Sequence, residues 1–238
     1  MLFYLGGTLG WVLELFYRRF FSAKKWINPG FLVGPFLPLY GFGLWILYGL
    51  ASIDFSSLAP FPRVLVRVLL IGVAMTVIEY IAGKVFIVGM HVKLWDYSQK
   101  PGNVEGIICP EFSLYWTLLG AFYCYVIHPV FHHIVGWFFN NIVLSFFLGA
   151  FFGVFVIDLF YSFRILAKIR KFAADNHITV KLQALQKNIA GLYERRRFKH
   201  FVFALRENLL APEILREAVS QLKKKLPKKK KDGEKGGR

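Results

Sequence analysis

The sequence predicts an all-α fold: a polytopic membrane bundle of about five transmembrane helices with a basic cytoplasmic helical tail. Three observations carry this reading. Hydrophobic residues make up 56% of the 238, yet the formal net charge is +16. The two properties separate along the chain, since residues 1–163 hold nine Lys/Arg against seven Asp/Glu and residues 164–238 hold 21 against seven. Several apolar runs approach the ~20 residues that cross a bilayer as helix, far more than one soluble core of this size absorbs. Basic residues fall in alternate loops, as the positive-inside rule requires of a polytopic protein.

The first span is expected from Leu2 to Phe16, closed by Tyr17-Arg18-Arg19. The N-terminus is apolar without a basic leader or a small-residue cleavage pattern, which reads as a retained helix. Prolines 29, 35 and 38 forbid a continuous helix in the next segment, because each lacks an N–H and restricts the residue before it. The second span follows, Leu39 to Ile53. Its shortness implies tilt, or a Gly/Pro segment that also lies at membrane depth inside the protein.

A third span is expected from Val64 to Val88, carrying Arg67, Glu79 and Lys84. The polar, aromatic stretch from Gly89 to Glu111 is a loop. A fourth span covers Phe112 to Pro129 and a fifth Asn141 to Phe163. Phe131 to Asn140 reads as an aromatic interfacial connection. Arg18, Arg19, Lys24 and Lys25 follow span one, Lys84, Lys93 and Lys100 follow span three, and the tail is densely basic. The opposite loops hold Arg63 alone. The N-terminus is therefore expected outside and the C-terminus inside.

Three regions result: a transmembrane domain over 1–163, basic amphipathic cytoplasmic helices over 164–222, and a disordered Lys-rich tail over 223–238. Ile178, Leu182, Leu185, Ile189 and Leu192 recur at four-three spacing, a helical stripe. The basic tail suits the lipid bilayer, and anionic lipid in particular, at about 1 kcal/mol per Lys/Arg near the surface. No aromatic RNA-binding motif accompanies the lysines, so nucleic acid is not an expected partner.

Carboxylates inside spans are the chemistry-bearing candidates. Each costs about 2.5–3.5 kcal/mol near a helix centre, so each needs a protein or water partner. Glu14 has Arg18 four residues on. Glu79 lies in the inner half of span three. With the 28–38 segment and the 95–113 loop they converge on the cytoplasmic side, joined by Asp158. The binding candidates are Glu14, Asn28, Tyr40, Glu79, Tyr80, Asp96, Tyr97 and Asn103. Gly30, Gly34, Gly41 and Gly43 permit close backbone approach, while Gly6-x-x-x-Gly10 and Gly149-x-x-x-Gly153 suit tight helix packing.

His128, His132 and His133 cluster on the outer side without a carboxylate, a poor metal site, so no metal and no cofactor are expected. Cys109 and Cys124 form no C-x-x-C framework. No P-loop occurs, and no catalytic residue is assigned.

An ordered set of short motifs adds to this. Gly10-Trp11-x-x-Glu14 is followed by Asn28-Pro29-Gly30-Phe31-Leu32-x-Gly34-Pro35-x-x-Pro38-x-Tyr40-Gly41-x-Gly43. Glu79-Tyr80, Trp95-Asp96-Tyr97-Ser98-x-x-Pro101-x-Asn103-x-x-Gly106-x-Ile108-Cys109, Phe112-Ser113-x-x-Trp116 and His128-Pro129 complete it. Over residues 1–160 the chain resembles the bacterial putative ABC-transporter type IV family. The resemblance implies a permease-like protein of the bacterial inner membrane, with any ATPase a separate subunit, and leaves room for an oligomer. Two other classes compete. One is a membrane enzyme acting on a lipid or isoprenoid substrate through Asp96, Glu79 or Cys109. The other is a non-catalytic assembly or regulatory protein whose tail docks a partner.

Overall fold

The computed structural model describes residues 1–22, 24, 26–175, 179–182 and 185–186. Helix α1 (Leu2–Tyr17) continues through a π-helical turn over Arg18–Ser22, and a broken segment leads into α2 (Pro38–Ser52). Next come α3 (Pro60–Met90), the short strand β1 (Val92–Lys93), and α4 (Pro110–Phe122). A π-helical turn over Tyr123–Ile127 joins α4 to α5 (His128–Asn140). Helix α6 (Leu144–Asp175) and strand β2 (Val180–Lys181) follow.

Proline sets the helix starts. Pro38, Pro60, Pro110 and Pro129 each stand in the first turn of α2 to α5, where a missing N–H is no loss and φ is already helical. Pro129 does cost something, because α4 runs into α5 without a break. It has no N–H for the preceding turn, and the π turn at 123–127 takes up the misfit, with the His128 N–H bonded to Tyr123 O.

Three helical runs have the length and apolar character to cross a membrane: Pro60–Met90, Pro110–Asn140 and Leu144–Asp175. Helices α1 and α2, of 16 and 15 residues, are shorter than a bilayer core requires. The stretch 131–140, expected as an interfacial connection, is instead helix continuous with the fourth expected span. Helix α6 likewise passes position 163 without interruption.

Helices α1 and α2 pack most extensively, and glycine permits it. A Cβ on Gly6 would lie 2.6 Å from Leu44 Cβ, and one on Gly41 would lie 2.6 Å from the Phe3 carbonyl oxygen. The second small-residue motif behaves differently. Nothing lies within 4 Å of a Cβ placed on Gly149 or Gly153, so these glycines make no close helix contact among the described residues. The N-terminal half of α6 is rich in exposed aromatics, including Phe146, Phe151, Phe152 and Phe160.

The other half of α6 buries one face. Ile165, Leu166, Ile169 and Ala173 form a cluster with Val92, Val180, Leu182 and Leu185. Strand β2 pairs in parallel with β1, Val92 opposite Val180 and Lys93 opposite Lys181. Of the expected four-three stripe, Leu182 and Leu185 are core residues. Val180 and Lys181 are extended rather than helical, and Ile178, Ile189 and Leu192 lie outside the described residues.

Candidate functional site

Glu79 belongs to the buried face of α3, where Ile71, Met75, Glu79 and Gly83 follow one another at four-residue steps. Three members of that stripe are small or apolar, and the fourth is a carboxylate with 2% exposure. Its Oε1 accepts a hydrogen bond from the Tyr97 hydroxyl at 3.0 Å, and the Trp116 side chain of α4 also approaches the carboxyl. Its Oε2 is buried and accepts no hydrogen bond among the described residues. An orphaned buried acceptor costs about 1–3 kcal/mol, more when the group is charged. Such a group calls for an explanation.

Glu14, on α1, is fully engaged. Arg18 Nε donates to Oε1 at 3.1 Å and Tyr40 OH to Oε2 at 3.1 Å. Tyr40 reaches it because Gly10 leaves room: a Cβ there would fall 2.2 Å from the Tyr40 ring. The Tyr40 ring meets Trp116 at 5.0 Å between centroids, and Tyr97 stacks on Phe112 at 4.3 Å and 12°. Four helices and one loop thus bring two carboxylates, two tyrosines and a tryptophan together. Burial, then the neighbouring charge of Glu79, raises the Tyr97 hydroxyl above its ordinary range. The phenol therefore stays protonated and remains a donor.

The broken segment before α2 is shaped by the same group of residues. Arg18, itself buried, donates from Nη2 to Pro29 O at 2.9 Å. Asn28 receives the Trp11 indole N–H at 2.8 Å and the Gly30 N–H at 3.2 Å, and gives its amide to Leu32 O at 2.9 Å. Asp158 of α6 collects the N–H groups of Val33 at 3.0 Å and Gly34 at 2.9 Å. Backbone N–H groups of the segment are taken up by Asn28 and by Asp158 of α6, and the Pro29 carbonyl by Arg18, as a non-helical segment inside a bundle requires.

The loop between α3 and α4 is a self-braced fold. Trp95 Nε1 donates to Ile107 O at 2.8 Å, and the Tyr97 N–H to Gly106 O at 2.8 Å. Gly106 has φ +69 and a Cβ there would strike Ser98 Oγ at 2.5 Å, so the turn needs glycine. Asn103 closes it, donating to Lys100 O at 2.7 Å and accepting from the Gly106 N–H at 3.0 Å. Asp96 pairs with Lys93 at 3.4 Å, with Lys181, and with Ser98. Burial pushes the Asp96 carboxyl up, but hydrogen bonds from Lys181 and Ser98 and the charges of Lys181 and Lys93 outweigh it, holding it at about 2.

Of the eight residues the sequence nominated, Glu14, Tyr40, Glu79 and Tyr97 come together. Asn28, Asp96 and Asn103 shape the two loops, and Tyr80 turns to Lys84, whose Nζ stands 5.7 Å from its ring. Trp116 and Phe112 were not nominated. Their four-residue spacing on α4, facing the loop that carries Tyr97, is the signal that would have found them.

At the other end of the helices, Tyr48 OH lies 3.4 Å from His132 Nδ1 and Tyr123 OH 3.4 Å from His128 Nδ1. No group of three or more His, Cys, Asp or Glu able to hold a metal occurs among the described residues. Cys109 and Cys124 are free and buried.

Long apolar helices and a polar cluster enclosed by them define a helical membrane protein. More specifically, the family model described as putative ABC-transporter type IV matches residues 1–163, and the chain belongs to that family. No curated protein matches it, and no solved structure does.

Proposed function

We propose that this chain is the multi-pass permease component of a transport system, and that Glu14 and Glu79 bind a cation, a proton or a cationic group of the substrate. The observation that carries the reading is Glu79: a carboxylate at 2% exposure in a long apolar helix, with one oxygen unclaimed among the described residues. Intramembrane acids are expensive and are retained where they serve a pathway or a ligand. Tyr97 holds Oε1, Trp116 approaches the carboxyl from α4, and Oε2 is left to meet the cargo. Glu14, held by Arg18 and Tyr40, is the second carboxylate of the cluster and would meet a cargo by exchanging one of these partners.

In this reading α1 and α2 cross the membrane together with the broken segment, giving five crossings, with the N-terminus outside and the C-terminus in the cytoplasm. The carboxylates then face the cytoplasmic side of the inner membrane, and the basic tail lies against anionic lipid. Family membership supports a separate ATPase subunit as the energy source.

Native mass spectrometry of the purified protein identifies the ligand and any retained ATPase. Transport of that ligand is then measured in Glu14→Gln and Glu79→Gln. Loss of uptake with retained folding is the expected result, and full activity in both variants would remove the proposed roles. Cysteines placed at positions 28 and 96 should label from the same side of the membrane. Labelling from opposite sides would leave no shared site.

A further inference from the structure

The two acids of the enclosed cluster differ in how their oxygens are served. Both oxygens of Glu14 receive donors, Arg18 Nε at Oε1 and Tyr40 OH at Oε2. At Glu79 the Tyr97 hydroxyl donates to Oε1, while Oε2 is buried and takes no hydrogen bond among the described residues. Glu14 has a cation and Glu79 has none. On its own helix and in the adjoining loop, Lys84 pairs with Glu105, Lys93 with Asp96 and Lys100 with Glu111. Lys181, beside that loop, also goes to Asp96. The other groups around Glu79 bring no positive charge: Tyr97 from the loop, Trp116 from α4, and Tyr40 of α2, whose ring meets Trp116. Met75 and Gly83, one turn to either side on α3, are buried.

Ionised, Glu79 is a buried charge without a counter-charge and an oxygen without a donor, an arrangement that buried sites escape by neutralising. Protonated at Oε2, the same geometry is consistent. Oε1 becomes the carbonyl that accepts from Tyr97, and Oε2 a hydroxyl. A neutral hydroxyl without an acceptor costs less than an ionised oxygen without a donor. Size points the same way. Oε2 keeps almost no solvent-accessible surface, so a metal ion or an ammonium group reaches it after the cluster opens, whereas a proton needs no such room.

We propose that the cation held by Glu79 is a proton, and that the loop end packs shut around the neutral acid while Glu14 stays ionised against Arg18. The proposal rests on the reading of Glu79 as the binding residue and narrows what it binds. When the cluster opens, the O–H bond at Oε2 breaks and the proton passes to water. Glu14 cannot take it without giving up a partner, and the hydroxyls of Tyr40 and Tyr97 already carry and donate their own.

The test uses the full chain at neutral pH in nanodiscs of ether-linked lipid, which has no ester carbonyl. Infrared difference spectra should show the carbonyl stretch of a protonated carboxyl. The band should be lost in Glu79→Gln, persist in Glu14→Gln, and move to higher frequency in Tyr97→Phe, which removes the donor to Oε1. Sodium, potassium or tetramethylammonium added at fixed pH should leave it in place. Thermal unfolding gives an independent readout. Gln resembles the neutral acid, so Glu79→Gln should unfold within about 2 °C of the wild type. Glu14→Gln strips the charge from the partner of a buried arginine and should unfold at least about 4 °C lower.

No band in the wild type would overturn the proposal, as would a band that Glu79→Gln or Tyr97→Phe leaves untouched. Loss of the band on adding one of the three cations would assign the carboxylate to that cation instead. A Glu79→Gln variant that loses its helical circular dichroism, or falls as far as Glu14→Gln, would show that Tyr97 and Trp116 hold a charged group. Normal transport by Glu79→Gln would dismiss the binding role and leave the infrared result standing, so the two ideas fail separately.

Discussion

The two ends of the α1–α4 bundle both carry tyrosine beside an ionisable partner, and they use it differently. At the loop end Tyr97 and Tyr40 hold carboxylates at 3.0 and 3.1 Å inside the protein. At the other end Tyr48 stands 3.4 Å from the exposed His132, whereas Tyr123, 3.4 Å from His128, is itself a core residue. The pairings are chemically alike, but burial separates Glu79 with Tyr97 from Tyr48 with His132. Where water is excluded, a partner lost is a charge stranded; where water reaches, the lost partner is replaced at once. The Glu79–Tyr97 pair should therefore respond sharply to single-atom changes and the Tyr48–His132 pair hardly at all.

The largest effect is expected at Asp158. Its carboxylate gathers the Val33 and Gly34 N–H groups and tethers the broken segment to α6. Asp158→Ala should cost about 3 kcal/mol, because hydrogen bonds to a charged acceptor are worth more than neutral ones and at least one amide is stranded. Unfolding in detergent reads the stability, and hydrogen exchange at 33 and 34 should speed up. A cost below half that figure would show that the segment holds itself. Tyr97→Phe comes next, at about 2 kcal/mol, since it deprives a buried carboxylate of its hydroxyl donor. An equal loss from Tyr48→Phe would erase the contrast between the ends.

A third, smaller effect depends on pH. The Asp96 carboxyl is held at about 2, below its ordinary value, by Lys181, Ser98 and Lys93. A depressed carboxylate contributes stability that is present above its unfolded value and lost as pH falls through the folded one. The docking of β2 on β1 should therefore weaken between about pH 4 and pH 2, followed by exchange at Val180, and high salt should shrink the change. In Asp96→Asn that part of the pH dependence should vanish. If it persists, another group holds the strand.

Legibility in the sequence follows the same division. The helical class and the three longest apolar helices could be read from hydropathy because lipid exposure writes itself as uninterrupted apolar sequence. Glu14, Tyr40, Glu79 and Tyr97 could be nominated because polar residues in such runs are conspicuous. What stayed hidden was set by partners distant in sequence. Nothing near Asp158 says that its carboxylate serves amides 124 and 125 residues away. Leu182 and Leu185 fit a helical stripe, but their cross-chain neighbour Val92 draws the adjacent Val180–Lys181 into a strand. The histidines and aromatics of Phe131 to Asn140 suit an interface as well as a helix. The π turn at 123–127 is what lets the helix pass Pro129 and continue.

The smallest effect is the most demanding test of the comparison. Tyr48→Phe removes a hydroxyl from a 3.4 Å contact with an exposed imidazole, and water is free to take its place. The change in stability should stay within about 0.5 kcal/mol, the range of surface substitutions without a buried partner. His132→Ala should behave alike, and added zinc should shift neither protein's unfolding, because two histidines one turn apart lack the further ligands of a tetrahedral site. Should zinc stabilise the wild type but not His132→Ala, the far end binds metal. Its polar groups would then be held as firmly as those around Glu79, and burial alone would not be what distinguishes the two ends.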